Sequence, residues 1–447
     1  MMRQTEASLG QLEHLVEGIA AALCQNEAEV FLTALAEAEG QIGHEHSNIG
    51  NPVVIIAEPD PIRYIAGVMA GLRVDAAVFL VNPNWGLSEW QWLLGCCGKG
   101  EVIGQKPPVG LIMNTSAHEP IASGVYLATG GSSGRLRFAR HTLQTLGAHV
   151  EAFQCFFNLP TVNSLCALPL YHVSGWMQVM RSGLSRGKLA FYDKETLVRS
   201  IAQLGAGNGG WFEDACLSLV PTQLQRLLQV PECVVGLRKL RAVYLGGSAP
   251  QSEWVERAVE EGIPLWLTYG MTETAAMVAA VSAAEKNLAA PLLPHADFRI
   301  DAHQRLWLRS KSLCQGYFPD VEPFIVEEDW FRTDDLAEVV EGSKLKIIGR
   351  ADKIIVTGGE KVNPAEVEGT ILSFSGVQDC HVYGCADPEW GQLVCALVSS
   401  ETGADETELL LAHLRSRLAP HKLPKEIRWL VALPRNEAGK VEHNWLK

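Results

Sequence analysis

Leu9, Leu12, Leu15, Ile19 and Leu23 recur at helical spacing, with Glu13, His14 and Glu17 between them. A period near 3.6 predicts a helix with one apolar face. Residues 1–50 read as two helices that end in a polar loop over 43–51. From residue 53 the texture changes. Apolar, β-branched runs over 53–57 and 76–81 flank a helical segment over 62–72. Strand–helix–strand with continuous apolar strands predicts a buried parallel sheet. The alternation returns downstream. A strand over 125–128 runs into a glycine–serine loop, and a helix follows from about Thr142. A strand over 216–220 precedes a helix over 222–228, and a strand over 242–245 ends in Gly246-Gly247-Ser248. After about Ala290 short alternating pieces appear at 298–300, 306–308, 336–340 and 345–348, which predicts antiparallel sheet or a small barrel. A further α+β stretch completes the chain. The expected fold is α/β, a large N-terminal domain with parallel sheets and a small β subdomain, plus a small α+β C-terminal domain. The boundary is expected near residues 350–352, giving 1–350 and 351–447.

Length and composition narrow this picture. At about 150 residues per domain, 447 residues suggest three folding units, or one large and one small. With 47% apolar and 20% charged residues the chain is not a disordered one. The net charge of −14 argues against a broad basic face for nucleic acid, while leaving room for a local cationic pocket. The first residues lack the charged-then-apolar layout of a signal peptide. The most apolar stretch, 65–81, is interrupted by Arg73 and Asp75, so no membrane span is expected. Eleven cysteines are scattered without a CxxC pair or a Cys/His set at zinc spacing. They read as small buried hydrophobes in a reducing, cytoplasmic setting.

Five strings could carry chemistry. Thr129-Gly130-Gly131-Ser132-Ser133-Gly134-Arg135-Leu136-Arg137 follows a strand, and such a loop can cradle phosphate with backbone N–H groups and hydroxyls. It lacks the Gly-Lys-Ser/Thr of a Walker loop. In Thr268-Tyr269-Gly270-Met271-Thr272-Glu273-Thr274, a carboxylate beside hydroxyls suits Mg²⁺ and phosphate, and Tyr269 offers a face for a base. Trp330-Phe331-Arg332-Thr333-Asp334-Asp335 precedes Arg350 by fifteen residues, and a carboxylate there could accept ribose hydroxyls. A turn with a surface ion pair would look the same. Gly358-Gly359 marks backbone of unusual φ or close approach, and Pro364 suits a helix start. Lys440 follows Gly439 near the end, where a lone lysine is ordinarily a solvated charge.

In this order and at these separations, the strings resemble the adenylate-forming superfamily of acyl-CoA synthetases, luciferases and adenylation domains. The resemblance runs from about Val53 to Lys447. It implies a large domain and a small mobile one, with Asp352 at the hinge. It puts Thr129, Gly131, Ser132, Ser133, Gly134 and Arg137 on the ATP phosphates. It puts Tyr269 on the adenine, Gly246, Gly247, Gly270 and Met271 among the nucleotide-binding residues, Thr272 on the α-phosphate, and Glu273 on Mg²⁺. Asp335 and Arg350 would hold the ribose, and Gly358 and Gly359 the channel of coenzyme A. Lys440, Glu273 and His172 are the catalytic positions it implies, with His172 also a residue of the pocket.

The string Ala167-Leu168-Pro169-Leu170-Tyr171-His172-Val173-Ser174-Gly175, with 218–224 and 245–250, is most similar to the o-succinylbenzoate–CoA ligases of menaquinone and phylloquinone biosynthesis. That implies an aromatic dicarboxylate, ATP and coenzyme A as small-molecule partners, with His172 and Ser174 near the acid. The acid's unreactive carboxylate needs a cationic partner. Arg181, nine residues after His172, is the candidate, and an exposed arginine is the plain alternative. Two positions depart from the family pattern. Leu136-Arg137 replaces Pro-Lys, and Asp334 replaces a glycine, its side chain expected to point away. A ligase for another aryl or acyl acid, an adenylation module that loads a carrier protein and a nucleotide-binding pseudoenzyme share these strings. Oligomeric state, including a homo-oligomer, is left open by the sequence.

Overall fold

The computed structural model describes residues 2–42, 51–98, 100–107, 120–130, 136–207, 210–248, 252–285, 287–319, 324, 326–401, 405–434 and 441. Two helices lead, α1 (Met2–Ala22) and α2 (Gln25–Ile42). The amphipathic pattern behaves as expected, since Leu12, Leu15, Ile19 and Leu23 are buried and only Leu9 of that series is exposed. An α/β region follows: β1 (Val53–Ala57), α3 (Pro61–Arg73), β2 (Ala77–Leu80), α4 (Leu87–Cys97), β3 (Glu101–Gly104), β4 (Gly124–Gly130) and β5 (Leu136–His141). It continues with α5 (Leu143–Phe157), β6 (Asn163–Cys166), α6 (Val173–Ser185), β7 (Leu189–Phe191), α7 (Lys194–Gly205) and β8 (Ala215–Leu219). Then come α8 (Pro221–Leu228), α9 (Pro231–Arg238), β9 (Ala242–Leu245), α10 (Ser252–Glu260), β10 (Leu265–Met271) and β11 (Ala276–Ser282).

These strands make two six-stranded sheets, in the order β14-β5-β4-β2-β1-β3 and β11-β10-β9-β8-β6-β7, where β14 is Tyr317–Phe318. Their centres are parallel, as the continuous apolar strands predict. Residue alternation splits β1 between two cores. Val54 and Ile56 pack with α1, α2 and α3, whereas Ile55 and Ala57 face Phe79, Trp90 and Phe138. One expectation needs correction. The glycine–serine loop does not lead straight to a helix, because β5 intervenes and pairs antiparallel with β4 from Val125–His141 to Gly130–Leu136.

The later strands are β12 (Ala296–Ile300), β13 (Arg305–Ser310), β15 (Val326–Glu327), β16 (Trp330–Val340) and β17 (Lys344–Arg350). They form a third sheet, β12-β13-β16-β15 with β17 on β16, its β16–β17 and β15–β16 pairs antiparallel. The remainder is β18 (Ile355–Thr357), β19 (Glu360–Val362), α11 (Pro364–Leu372), β20 (Val377–Asp387), β21 (Gly391–Ser400), α12 (Thr407–Arg415) and β22 (Glu426–Leu430). The sheet β19-β18-β21-β20, with β22 on β21, covers a core of Val367, Ile371, Val382, Val398, Leu410 and Leu414. Two compact units result. One holds residues 1–250, 254–297 and 309–331, and the other holds 251–253, 298–308 and 332–447.

Within the first unit α1 and α6 cross at two glycines. A Cβ on Gly18 would stand 1.9 Å from the Gly183 carbonyl oxygen, and one on Gly183 would stand 2.8 Å from Leu15 and Ile19. Only hydrogen lets the backbones approach so closely. Gly18→Ala should therefore lower the thermal midpoint, at a cost of about 1–3 kcal/mol for overpacking. Gly10→Ala, in open space on the same helix, should leave it unchanged or raise it. Equal midpoints for the two variants would contradict this crossing.

Candidate active site

The site-bearing residues of the first unit gather where β4 and β10 end and β5 begins. Cross-strand register sets Thr129 opposite Arg137. Both reach Glu273, which is 5% exposed. Thr129 Oγ1 donates to Glu273 Oε1 at 3.4 Å, Arg137 Nη2 lies 3.6 Å from the same oxygen, and Tyr317 Oη donates to it at 2.8 Å. The Arg137 guanidinium also lies over the Tyr317 ring, 3.9 Å from its centre. Burial and then the neighbouring carboxylate push the Tyr317 hydroxyl far above its ordinary pKa, so it remains a donor. The three contacts converge on one carboxylate oxygen. Gly131, Ser132, Ser133 and Gly134 lie outside the described residues.

Glu273 belongs to a short 3₁₀ turn, Thr272–Thr274. Three successive carbonyls of that turn accept hydrogen bonds at 2.8 Å, from His141 Nε2, from the Cys314 backbone N–H and from Ser312 Oγ. A carbonyl can only accept, so His141 carries its proton on Nε2. Met271 N–H donates to Thr274 Oγ1, which closes the turn from within. The next residues, Ala275 and Ala276, have φ of 53° and 80°, a left-handed backbone that is strained for alanine and persists because its surroundings impose it. Before the turn, β10 and β11 shift register between Tyr269 and Gly270, and a Cβ on Gly270 would stand 2.0 Å from the Ala276 oxygen. Tyr269 and Met271 are half-buried. Gly246 lies where a Cβ would come within 2.5 Å of Thr268 Oγ1, and Gly247 has φ of 88°. Gly246, Gly247 and Tyr269 thus sit at the carboxyl ends of parallel strands, where open α/β sheets bind ligands.

The segment after β6 ends at another carboxyl edge. His172 is the N-cap of α6, half-buried, its ring 4.7 Å from that of Tyr171. Ser174 lies in the first turn of α6 and is half-buried. Two turns on, Arg181 is 3% exposed, which excludes the exposed alternative. Its guanidinium stacks 4.2 Å over Phe153, and Nη2 donates to His149 Nε2 at 3.2 Å. Burial lowers its pKa to about 10. Among the described residues no carboxylate pairs with it. His149 is fully buried, and burial, then the Arg181 cation, hold it neutral. Its ring meets that of His295 edge-on at 5.7 Å, and His295 Nε2 donates to Ser312 at 3.0 Å, since the Ser312 proton goes to the Thr274 carbonyl.

The second unit holds the other charged cluster. The motif 330–335 is not a turn but lies within β16, and register sets Asp335 opposite Arg350. The spacing of fifteen is therefore a cross-strand pair, with Nη1 to Oδ1 at 3.2 Å and the Asp335 side chain 9% exposed. Asp352 takes the same guanidinium in a fork, at 2.8 and 3.0 Å. Asp334 does not point away, because it pairs with Arg305 at 3.1 Å and approaches Arg350 at 3.6 Å. Burial alone would lower the Arg350 pKa, and three carboxylates outweigh it and raise it. Gly358 and Gly359 form the two-residue turn between β18 and β19, with φ of 57° and 85°, as a type I′ hairpin needs. A Cβ on Gly358 would meet the Trp390 ring at 2.7 Å. Lys440 lies outside the described residues.

The pattern of the family described as AMP-binding enzyme matches residues 114–318, and that of the AMP-binding enzyme C-terminal domain matches 366–440. The chain is 31% identical to the probable 2-succinylbenzoate–CoA ligase of Mycobacterium tuberculosis over 71% of its own length and 82% of that protein's. The chain belongs to the AMP-binding enzyme family. To the 2-succinylbenzoate–CoA ligase of Salmonella typhimurium it is 34% identical, over 68% of this chain and 63% of that one. The match to a Geobacillus relative of the same name spans 60% of that protein, so this chain spans under two thirds of both. Among solved structures, ATP-bound MatB from Rhodopseudomonas palustris superposes with a TM-score of 0.78 at 21% identity, over 93% of this chain and 92% of that one. The o-succinylbenzoate CoA synthetase of Bacillus subtilis, in complex with its acyl-adenylate, gives 0.76 at 22%, over 94% and 93%. These two likenesses establish the fold.

Thr129, Arg137, Arg181, Glu273 and Tyr317 all fall within the AMP-binding enzyme match, while Asp335 and Arg350 lie between the two matched stretches. Sequence reasoning missed Tyr317, Ser312 and the three buried histidines. Each is an isolated residue with no spacing rule, and only the packing of β5, α5 and 295–317 against the 272–274 turn gives it a role.

Those histidines should make the family member acid-labile. Burial is the first cause for each, pushing His141 and His295 down to about 4 and His149 further. The unfolded value is about 6.5. Between about pH 6.5 and 4 the unfolded chain takes protons that the folded chain refuses. Stability therefore falls as pH falls through that window, by about 1.4 kcal/mol per unit for each histidine. Thermal midpoints measured from pH 7 to pH 5 should drop, and His141→Gln should flatten the slope. Parallel slopes for the two proteins would overturn the assignment.

Proposed function

We propose that this chain joins 2-succinylbenzoate to coenzyme A by way of an acyl-adenylate, with ATP as the activating substrate. The observation that carries the reading is the pinned Glu273 turn beside Thr129 and Arg137. The names of the relatives and the paired Asp335 and Arg350 support it. A carboxylate is a poor acyl donor, and joining it to AMP supplies a leaving group. The acid attacks the α-phosphorus and pyrophosphate departs. Such a transfer depends on positioning and charge stabilisation.

Thr129, Ser132, Ser133 and Arg137 would hold the phosphates, with Gly131 and Gly134 giving backbone room. Thr272 would meet the α-phosphate. Gly246, Gly247, Tyr269, Gly270 and Met271 would line the adenine. Asp335 would accept the ribose hydroxyls while Arg350 fixes its carboxylate. The donor set at Glu273 is hard oxygen, which fits Mg²⁺, and a bound Mg²⁺ would supply neutralising charge at the phosphates. Arg137 is positioned to exchange its hold on Glu273 for phosphate, a geometry that lysine would not share. Lys440 would contact the reacting groups in the first step. In the second, rotation of residues 351–447 about Asp352 would withdraw it and bring Gly358 and Gly359 to the path of the coenzyme A thiol.

His172 and Ser174 would border the acid. Arg181 would receive its second carboxylate. A buried cation without a counter-ion is costly, and an anionic ligand repays that cost. No helix among the described residues is long and apolar enough to cross a membrane, and a reaction in the cytoplasm is part of the proposal.

ATP–pyrophosphate exchange with a panel of acids, followed by thioester formation, tests the reading. Exchange should need 2-succinylbenzoate, and Lys440→Ala should lose it while still converting supplied acyl-adenylate to thioester. Glu273→Gln should slow exchange by about 10²–10³. Exchange with aliphatic acids alone would reject the acid assignment, and exchange with none would reject the activity.

A further inference from the structure

We infer that His149 sets acid specificity by holding Arg181 without neutralising it. The inference rests on Arg181 as the receptor of the acid's second carboxylate. Arginine has five donors in one plane, and its value to a carboxylate depends on where that plane lies. Phe153 fixes the plane by stacking at 4.2 Å, and His149 Nε2 fixes its rotation at 3.2 Å. Arg181 Nε is buried without a hydrogen-bond partner. A carboxylate at position 149 would orient the guanidinium equally well, but would satisfy its charge. A neutral imidazole orients it and leaves the charge for a ligand. His295 and Ser312 continue the contact to the Thr274 carbonyl, so the support for Arg181 is built on the turn that carries Glu273.

The test compares 2-succinylbenzoate with the analogue in which the unreactive carboxylate is replaced by hydrogen. His149→Ala should raise KM for the dicarboxylate about tenfold with kcat little changed, and leave the analogue's KM alone. His149→Gln, whose amide oxygen accepts, should restore part of the loss. His149→Glu should abolish the preference for the dicarboxylate while thermal midpoint is retained. If Arg181→Ala affects only the dicarboxylate but the position-149 variants affect both acids equally, or neither, the inference fails. If Arg181→Ala leaves both acids unaffected, the reading of Arg181 fails instead.

A separate observation in the second unit points to a cation site. Cys385, Cys395 and Glu426 come from β20, β21 and β22, and their ligand atoms lie within 4.8 Å of one another. Register explains the meeting, because Cys395 pairs with Glu426 and lies diagonal to Cys385, which pairs with Leu393. Cys385 and Glu426 line an open cleft of about 1000 Å³, so a fourth position faces solvent. Bonds of about 2.3 Å to sulfur and 2.1 Å to oxygen bridge such separations after small side-chain rotations. We propose that the three bind a thiophilic divalent cation of the zinc group, both thiols releasing their protons to solvent.

Titration of the reduced protein with Cd²⁺ should give thiolate charge-transfer absorption saturating at about one equivalent. Cys385→Ser and Cys395→Ser should each remove it, Glu426→Gln should weaken it, and Zn²⁺ should compete. Zn²⁺ should also raise the thermal midpoint of the parent chain but not of Cys385→Ser. Absorption that is absent, or that survives both cysteine variants through exposed Cys24 or Cys155, would overturn the proposal.

Discussion

The hydrogen bonds onto the carbonyls of Thr272, Glu273 and Thr274 are the constraint on which the site of the first unit depends. Each donor comes from a different place: the end of β5, the backbone at Cys314, and Ser312 beside it. A 3₁₀ turn of three residues followed by two left-handed alanines would not hold itself. Anchored at each carbonyl, it becomes a fixed base from which Glu273 projects to a defined point. The remaining groups, Thr129, Arg137 and Tyr317, then have something definite to meet.

The same anchoring explains the electrostatics. Histidines are used as neutral hydrogen-bonding parts, and burial keeps them so. Charge is reserved for a few positions. Glu273 is bound by donors rather than cancelled outright, Arg181 has no carboxylate beside it among the described residues, and Arg350 is held by three. A chain with a net charge of −14 can draw an anion only by concentrating attraction in this way, because its overall field is unfavourable.

Much of this was legible before any coordinates. The strands read from β-branched runs are present, and the glycines at 358 and 359 have the backbone that their pairing implied. The Asp335–Arg350 spacing turned out to be a ladder register. What escaped was of one kind. The strand β5 follows glycines and serines and carries two arginines, so its pattern is weak, and its partner β4 creates it. Arg181 gave no sign of being buried, because the apolar residues around it on α6 permit either face until α1 and α5 cover it. His149, His295 and Ser312 acquire meaning only through contacts between segments far apart in the chain.

The close crossing of α1 and α6 has a wider consequence. Gly183 is two residues from Arg181 on the same helix, so the N-terminal helix acts as a gauge that sets how deep that helix sits. The reach of the guanidinium is thus adjustable from the outside. Repacking Leu15 or Ile19 would slide Arg181 along the axis of α6 without altering Phe153 or His149, which orient it.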